Sequence, residues 1–190
     1  LKTGPLSGAA SAAAAVSAPA FSTEAPQKWD ETTGLLIVGT GFAGCAAALE
    51  AHYLGAKKEE IMLVDKMSTP GGNSIINGGA VAAAGTDMQE KEGIKDSADL
   101  LFADIMKAGG GLCHPALARR IADESVANFK WLRDDIGVQF KAVTYHGGHS
   151  VKRSHAVTNN SGSGFILPML AKLKEFGIEP VSYTHLTLPT

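Results

Sequence analysis

Three glycines and one aspartate carry the clearest chemical signal in this sequence. Gly39, Gly41 and Gly44 form the pattern G-x-G-x-x-G, and Asp65 follows 21 residues after Gly44. In such a pattern the first glycine permits a tight turn, the second lets the backbone approach a pyrophosphate, and the third lets a helix pack closely on a strand. An acidic residue about 20 residues further along accepts hydrogen bonds from ribose hydroxyls. These four residues predict a site for the phosphates and ribose of a dinucleotide.

The segments around these residues are those that such a site needs. Residues 35–38 are a continuous apolar run, which predicts a strand buried on both faces of a parallel sheet. Residues 45–54 predict a helix that Gly55 ends, and residues 61–64 predict a second buried strand that Asp65 closes. The helix N-terminus offers free N–H groups and partial positive charge to phosphates. This order favours a βαβ dinucleotide fold over a chance glycine turn in another α/β protein.

A second glycine-rich stretch follows the aspartate. It reads P-G-G-N-S at residues 70–74 and N-G-G-A-V-A-A-A-G at residues 77–85. Such backbone has little side-chain bulk to add to a core, so we expect it to lie against a large, flat ligand. Asn73 and Ser74 are then expected to hydrogen-bond a flavin or its ribityl chain. The alternative is a mobile glycine loop that only joins two elements, which is uncommon directly after a cofactor-binding acid.

Residues 34 to about 181 resemble the flavoprotein of the fumarate reductase and flavocytochrome c family. The resemblance rests on the motifs G-T-G-F-A-G, D-K-M-S-T-P-G-G-N-S and N-G-G, with weaker matches in H-P-A-L and G-G-H-S-V-K-R-S-H. It implies an α/β, Rossmann-like FAD-binding domain with a parallel sheet and flanking helices. It also implies non-covalent FAD and reduction of a carbon–carbon double bond beside a carboxylate. Fumarate is the best-known substrate of the family, and urocanate and methacrylate belong to sister groups.

The family's FAD contacts map onto positions of this sequence that match its motifs. The resemblance implies that the cofactor-binding residues are Gly39, Gly41, Ala43, Gly44, Asp65, Lys66, Gly72, Asn73, Ser74, Gly78 and Gly79. Gly79 is implied to face the substrate as well. In this family the proton-donating arginine and the residues that hold the substrate carboxylates lie downstream, in a capping domain and beyond. We therefore expect this chain to be the N-terminal part of the FAD-binding domain, without the capping domain, the C-terminal half or the catalytic side chains.

Residues 145–155 gather three histidines with two basic residues. A metal site is one interpretation, because imidazoles are common ligands, but no carboxylate or cysteine joins them, and we assign no metal ligands. A solvated polar loop is the main interpretation, and a loop that faces the flavin or the substrate is the third. The haem-fused members of the family have an arginine and a glycine pair where this chain has Ala156 and Asn159-Asn160. This departure leaves the substrate within the family open.

Three further helices are predicted, and no chemistry is assigned to them. Asp96 or Ser97 is expected to cap the first, and Pro115 fits the first turn of the second. Apolar residues of the second helix recur at three- and four-residue steps or sums of them, which predicts one buried face. These residues are Leu117, Ile121, Phe129, Leu132 and Ile136. Residues 165–176 predict the last helix, with Pro168 in its first turn.

The two ends of the chain differ from the part between them. The first twenty residues are rich in Ala, Gly and Ser and close with Ala18-Pro19-Ala20, which is typical of a signal-peptidase site. Residues 1–20 therefore predict a signal peptide, which resembles the end of a twin-arginine signal, and export to a bacterial periplasm. An alanine-rich tail without a targeting role is the alternative. Residues 21–33 predict a linker and 34–182 the FAD-binding part, while 183–190 do not continue the family pattern and are expected to be non-native.

Composition limits the partners. The 190 residues carry a formal net charge of -2 without a long basic run, which argues against nucleic acid as a partner. The alanine-rich start is too mild and short for a transmembrane helix, so we do not expect an integral membrane protein. Two cysteines far apart indicate no disulfide framework. Because the sequence has no C-x-x-C-H motif, the resemblance implies a separate haem electron donor of the cytochrome c type, or a haem domain outside this chain.

Two alternatives to an unsaturated-acid reductase stay open. One is another flavoenzyme of the superfamily, such as a ketosteroid dehydrogenase or an aspartate oxidase-like protein, and the capping-domain sequence would separate these. The other is a non-catalytic, truncated nucleotide-binding piece. We expect the 190-residue chain alone to bind FAD weakly and to reduce nothing.

Overall fold

A computed structural model describes Trp29 and residues 31–182, and residues 32–182 belong to one unit. The predicted signal peptide, most of the predicted linker and the predicted tail lie outside the described residues. The strands are β1 (Leu35–Val38), β2 (Ile61–Asp65), β3 (Ala80–Ala82), β4 (Phe140–Thr144), β5 (Ser154–Val157) and β6 (Val181–Ser182). The α-helices are α1 (Phe42–Tyr53), α2 (Gly72–Ile75), α3 (Asp87–Lys91), α4 (Ala98–Ala108), α5 (Pro115–Lys130) and α6 (Ser163–Glu175).

A parallel three-stranded sheet carries the glycine pattern. Its strand order is β1-β2-β6, and Ile37 of β1 lies opposite Leu63 of β2. Ile37 and Leu63 pack in one core with Leu49 of α1 and Leu173 of α6. The predicted strand–helix–strand order and the position of Asp65 at the end of β2 are confirmed.

The prediction that β1 is buried on both faces is wrong. Ile37 is buried, but Leu36 and Val38 on the opposite face are 55% and 66% exposed. β1 is an edge strand in the sheet that the described residues form, and α1 and α6 pack on the face that carries Ile37. An apolar run predicts burial on both faces only where both faces are covered.

The alanine- and glycine-rich stretch forms more regular structure than expected. It builds α2 and β3, and Ala83 and Ala84 after β3 are buried. β3 pairs with β5 in an antiparallel sheet of order β3-β5-β4. The prediction that this stretch adds little to the core is wrong at these alanines, because Ala84 packs with Leu101 of α4 and Ala122 of α5.

The helices α4 and α5 begin where predicted, but only part of the predicted face of the second helix is buried. The Ser97 hydroxyl caps α4 by accepting a hydrogen bond from the Leu100 N–H at 3.1 Å, and Pro115 is the first residue of α5. Leu117 and Ile121, however, are 61% and 59% exposed. Phe129, Leu132 and Ile136 are buried as predicted, and Ala118, Ala122 and Ser125 are further buried positions of α5. Ala122 packs with Leu101 of α4, and its small side chain lets the two helices approach closely at this point.

The last helix begins earlier than predicted. α6 starts at Ser163, so Pro168 lies in its second turn rather than its first, and that prediction is wrong. The shift arises because Gly164 is helical in spite of its low helix propensity. Among the described residues, no helix has both the length and the apolar composition that a membrane crossing requires.

Candidate functional site

A cleft of about 600 Å³ opens at the carboxyl ends of β1 and β2, and we call it the dinucleotide cleft. Its volume lies in the range of small-molecule and cofactor sites. Six of the residues predicted to bind the cofactor line it: Gly39, Gly41, Asp65, Lys66, Gly72 and Asn73. The other five do not line it but lie in the backbone that shapes it or in a neighbouring loop: Ala43, Gly44, Ser74, Gly78 and Gly79.

The first and third glycines of the first motif are required for different reasons, a left-handed backbone at Gly39 and a close backbone contact at Gly44. Gly39 has a φ of +103°, which L-residues rarely adopt. A Cβ on Gly44 would lie 1.8 Å from the Gly39 carbonyl oxygen, so the turn and the start of α1 meet at van der Waals distance. Gly41 lies directly before α1, and its backbone faces the cleft. The N-terminal end of α1 therefore lies beside the cleft, and apart from the Phe42 N–H, which donates to Ser74, the N–H groups of its first turn have no partner within the helix.

Asp65 is the acidic group of the cleft, and its carboxylate is held by three donors. The Thr40 N–H donates to Oδ2 at 2.7 Å, the Thr40 hydroxyl donates to the same oxygen, and the Met67 N–H donates to Oδ1 at 2.9 Å. Burial disfavours the charged form of Asp65, but these hydrogen bonds outweigh burial and hold the pKa of the carboxyl below its ordinary value. The ionised carboxylate can accept a hydrogen bond from a ligand.

Ser74 joins the second glycine-rich stretch to the start of α1. Its hydroxyl oxygen accepts a hydrogen bond from the Phe42 N–H at 3.0 Å. A Cβ on Gly41 would lie 3.2 Å from the same oxygen. Ser74 therefore holds α2 against the start of α1, beside the cleft.

Gly79 lies in a loop that is locked to a second loop. Asn77 accepts a hydrogen bond from the Gly79 N–H at 2.7 Å through Oδ1, and its backbone oxygen accepts from the Gly162 N–H at 2.8 Å. A Cβ on Gly79 would lie 2.5 Å from the Ser161 nitrogen, and a Cβ on Gly162 would lie 1.8 Å from the Ser74 oxygen. Both glycines are required by contact between two backbones, and a side chain at either position would push the two loops apart.

The interpretation of residues 145–155 as a solvated loop is wrong at its C-terminal end. Tyr145 and His146 are exposed, but Arg153 and His155 are fully buried. Arg153 donates to both oxygens of Asp96, at 2.8 and 3.0 Å, and to Asp104 at 2.7 Å. The described residues contain no group of three metal-ligating side chains from His, Cys, Asp and Glu.

His155 connects Arg153 to α3 through a chain of buried polar groups. Its Nδ1 lies 2.9 Å from the Arg153 carbonyl oxygen and its Nε2 lies 2.8 Å from the Thr86 hydroxyl. A carbonyl can only accept, so Nδ1 carries the proton and Nε2 accepts from Thr86. Burial lowers the pKa of His155 below its ordinary value. Gln89 continues the chain by donating to Asp96 at 2.8 Å.

We call this set of buried residues the Arg153 cluster: Thr86, Gln89, Asp96, Asp104, Arg153 and His155. Its hydrogen bonds fix the position of β5, which contains His155 and directly follows Arg153. β5 pairs with β3, and β3 begins directly after Gly79. The Val157 N–H also donates to the Gly79 oxygen at 2.9 Å. The cluster therefore supports the position of the Gly79 loop without lining the dinucleotide cleft.

The sequence patterns do not predict the residues that support Asp65 and the Gly79 loop. Thr40 occupies a position of the glycine pattern that accepts any residue type, so its hydroxyl gave no signal. Asn77 belongs to the N-G-G motif, but that motif predicts ligand contacts at its glycines and not at its asparagine. Arg153 and Asp96 are 57 residues apart, and their pairing has no local sequence pattern.

Comparison with known proteins gives a consistent result. The sequence model of the family described as "FAD binding domain" matches residues 34–186. The chain is 40% identical over 179 residues to the acrylate reductase flavoprotein subunit of Shewanella woodyi, which covers 93% of this chain and 34% of that protein. It is 36% identical over 134 residues to a fumarate reductase (cytochrome) of Shewanella frigidimarina, which covers 70% of this chain and 23% of that protein.

A solved structure shows the same fold. The open conformation of a flavocytochrome c3 fumarate reductase matches with a TM-score of 0.74 and 34% sequence identity, over 80% of this chain and 26% of that chain. The chain thus spans about a third or less of the length of these relatives.

Proposed function

Because the chain belongs to the FAD binding domain family and its cofactor is FAD, we propose that the dinucleotide cleft holds the adenosine and pyrophosphate of FAD. The observation that carries the proposal is the geometry of Asp65, an ionised carboxylate at a strand end beside a helix N-terminus. FAD supplies hydride-transfer chemistry when bound, and this chain supplies position and electrostatics.

The residues of the cleft fit the two ends of such a ligand. Asp65 Oδ1 has a lone pair left for a ribose hydroxyl, since one donor occupies that oxygen. The α1 N-terminus and Lys66 provide partial and full positive charge for the phosphates. Gly39 and Gly41 keep side chains out of the space where phosphates approach the backbone.

The remaining predicted contacts complete the proposal. Ala43, Gly44, Gly72, Asn73 and Ser74 are proposed to form the phosphate and ribityl side of the site. Gly78 and Gly79 are proposed to lie against the flavin, with Gly79 beside the substrate as well. The contacts between the two loops around Gly79 support this role, because a preformed loop has less conformational entropy to lose when a ligand binds.

For the protein as a whole, we propose reduction of the carbon–carbon double bond of fumarate or a related unsaturated carboxylate. Support comes from the acrylate and fumarate reductases to which the chain is similar. A separate haem protein is proposed as electron donor, since relatives include a cytochrome-type fumarate reductase. Export to the periplasm is proposed from the alanine-rich first twenty residues. The catalytic side chains are proposed to lie outside this chain.

Purified full-length protein tests the proposal. It is expected to be yellow, to contain one FAD, and to oxidise a reduced viologen dye when fumarate or acrylate is added. Asp65→Ala is expected to weaken FAD binding by about tenfold or more, because it removes a charged acceptor. Asp99→Ala is the matched control, since Asp99 lies on the exposed surface of α4 and is expected to leave FAD binding unchanged.

Two results would contradict the proposal. A colourless protein that takes up no FAD would show that the dinucleotide cleft is not an FAD site. A flavoprotein that reduces neither fumarate, acrylate nor urocanate would agree with the proposed FAD site but contradict the proposed reductase activity. The 190-residue chain alone is expected to bind FAD weakly and to show no reductase activity, because β1 exposes one face and one edge of its sheet.

A further inference from the structure

We propose that Thr40 is a positioning residue that limits Asp65 to one ribose hydroxyl and ties the two walls of the dinucleotide cleft together. Thr40 is fully buried, and it is the residue between the first two glycines of the motif. The inference rests on the proposed FAD site and concerns how that site recognises the adenosine half.

The Thr40 hydroxyl stands between a donor and an acceptor whose roles are fixed. The Gly71 N–H donates to the Thr40 oxygen at 2.8 Å. A backbone N–H can only donate, so the hydroxyl accepts there and its single proton goes to Asp65 Oδ2. The two hydrogen bonds therefore run in one direction: Gly71 donates to Thr40, and Thr40 donates to Asp65. A serine can reproduce both bonds, and a valine of the same shape cannot.

The lone pairs of Asp65 show how much capacity is left for a ligand. An ionised carboxylate has about four acceptor positions on its two oxygens. The Thr40 N–H and hydroxyl occupy both positions on Oδ2, and the Met67 N–H occupies one on Oδ1. About one position is left, on Oδ1. Asp65 therefore accepts directly from one of the two ribose hydroxyls and not from both.

Gly71, the donor at the other end of these hydrogen bonds, belongs to the segment that forms the opposite wall of the cleft. Gly71 has a φ of +113°, and a Cβ there would lie 2.9 Å from Ile75 and 3.1 Å from Ile166. It directly precedes α2, which carries Ser74, and Ser74 accepts from the N–H of Phe42 at the start of α1. Thr40 thus connects the ribose acceptor to the segment beside the phosphate-binding helix end.

The experiment compares full-length wild-type apoprotein with Thr40→Val and Thr40→Ser. Dissociation constants are measured by flavin fluorescence for FAD and for two FAD analogues, one lacking the adenosine 2′-hydroxyl and one lacking the 3′-hydroxyl. In the wild type, one analogue is expected to bind about tenfold more weakly, and the other within about twofold of FAD. Thr40→Ser is expected to behave as the wild type.

Thr40→Val is expected to weaken FAD binding by about tenfold or more and to reduce the difference between the two analogues, because the carboxylate loses the hydroxyl that holds Oδ2 and can turn either oxygen toward the ribose. A purely structural role would lower affinity without changing that difference. Equal losses for both analogues in the wild type would overturn the inference, and so would wild-type behaviour of Thr40→Val. If Asp65→Ala also leaves FAD binding unchanged, the proposed site itself fails; if only Thr40→Val does, this inference alone fails.

Discussion

The dinucleotide cleft and the Arg153 cluster are both polar, but they differ in what their polar groups bind. In the Arg153 cluster the charged side chains are partnered by one another: Arg153 binds Asp96 and Asp104, and Asp104 also accepts from Ser150. In the dinucleotide cleft, Asp65 and the start of α1 keep positions open toward the cleft. A polar group with spare capacity beside a cleft indicates binding, whereas a buried group with all partners inside the protein indicates support.

The same difference applies to His155 in the histidine-rich segment, whose ring nitrogens both have partners inside the protein. His155 is also buried and uncharged. Its neighbours hold β5 in place, and β5 in turn holds the Gly79 loop. The cluster is therefore expected to influence ligand binding only through stability and the position of that loop.

The largest expected effect is the loss of Arg153. Arg153→Met leaves Asp96 and Asp104 without their cation, and breaking a buried ion pair in this way destabilises proteins by about 3–5 kcal/mol. The free energy of unfolding, measured by urea denaturation, is expected to fall accordingly. Adding Asp96→Asn and Asp104→Asn to this variant is expected to recover part of the loss, since fewer unpaired charges are then buried.

Arg119 provides the control for this variant. It also binds two aspartates, Asp99 and Asp123, but its side chain is 32% exposed and both partners lie in water. Arg119→Met is expected to lose much less stability. If the two variants lost equal stability, burial would not distinguish the Arg153 cluster from an ordinary surface ion pair.

The second expected effect is a dependence of stability on pH. His155 has a pKa in the folded protein below its ordinary value of 6.5, so the unfolded protein binds more protons in the window below that value. Its contribution to stability is therefore present above about pH 6.5 and declines as the pH falls, by at most about 1.4 kcal/mol per pH unit. His155→Gln is expected to flatten the unfolding free energy between pH 5 and pH 7.

Asp65 and Asp104 provide a second window that lies lower. Both carboxyls have pKa values below the ordinary value of 3.8, so their contributions are present above that value and are lost as the pH falls below it. A protein whose stability did not change between pH 7 and pH 5 would contradict the neutral, buried state of His155.

The smallest expected effect belongs to the cleft. Lys66 is exposed, so Lys66→Gln is expected to weaken FAD binding only a few-fold and to leave the free energy of unfolding unchanged. The effect is expected to shrink as salt is added, because exposed charges are screened. Lys130→Gln, an exposed lysine at the end of α5, is the matched control. A salt-independent loss for Lys66→Gln would mean that this side chain acts by packing rather than charge.

Much of the site near Gly39 could be predicted because its information is local. The strand, turn, helix, strand and acid lie within residues 35–65, and the covalent chain keeps them in order. The helix boundaries at Ser97 and Pro115 were also predicted, since a cap or an N-terminal proline acts within one turn. Burial could not be predicted in the same way, as Leu117, Ile121 and Val38 show.

The sequence by itself therefore determined the dinucleotide motif, the strand-end carboxylate and the family. Only the tertiary structure decided that Arg153 is buried between Asp96 and Asp104, that Ser74 meets the start of α1, and that Thr40 joins Asp65 to Gly71. These contacts join residues 25 to 57 positions apart in the chain. Whether a side chain is buried or bonded at such separations depends on which elements pack together, and no short pattern of residue types records that.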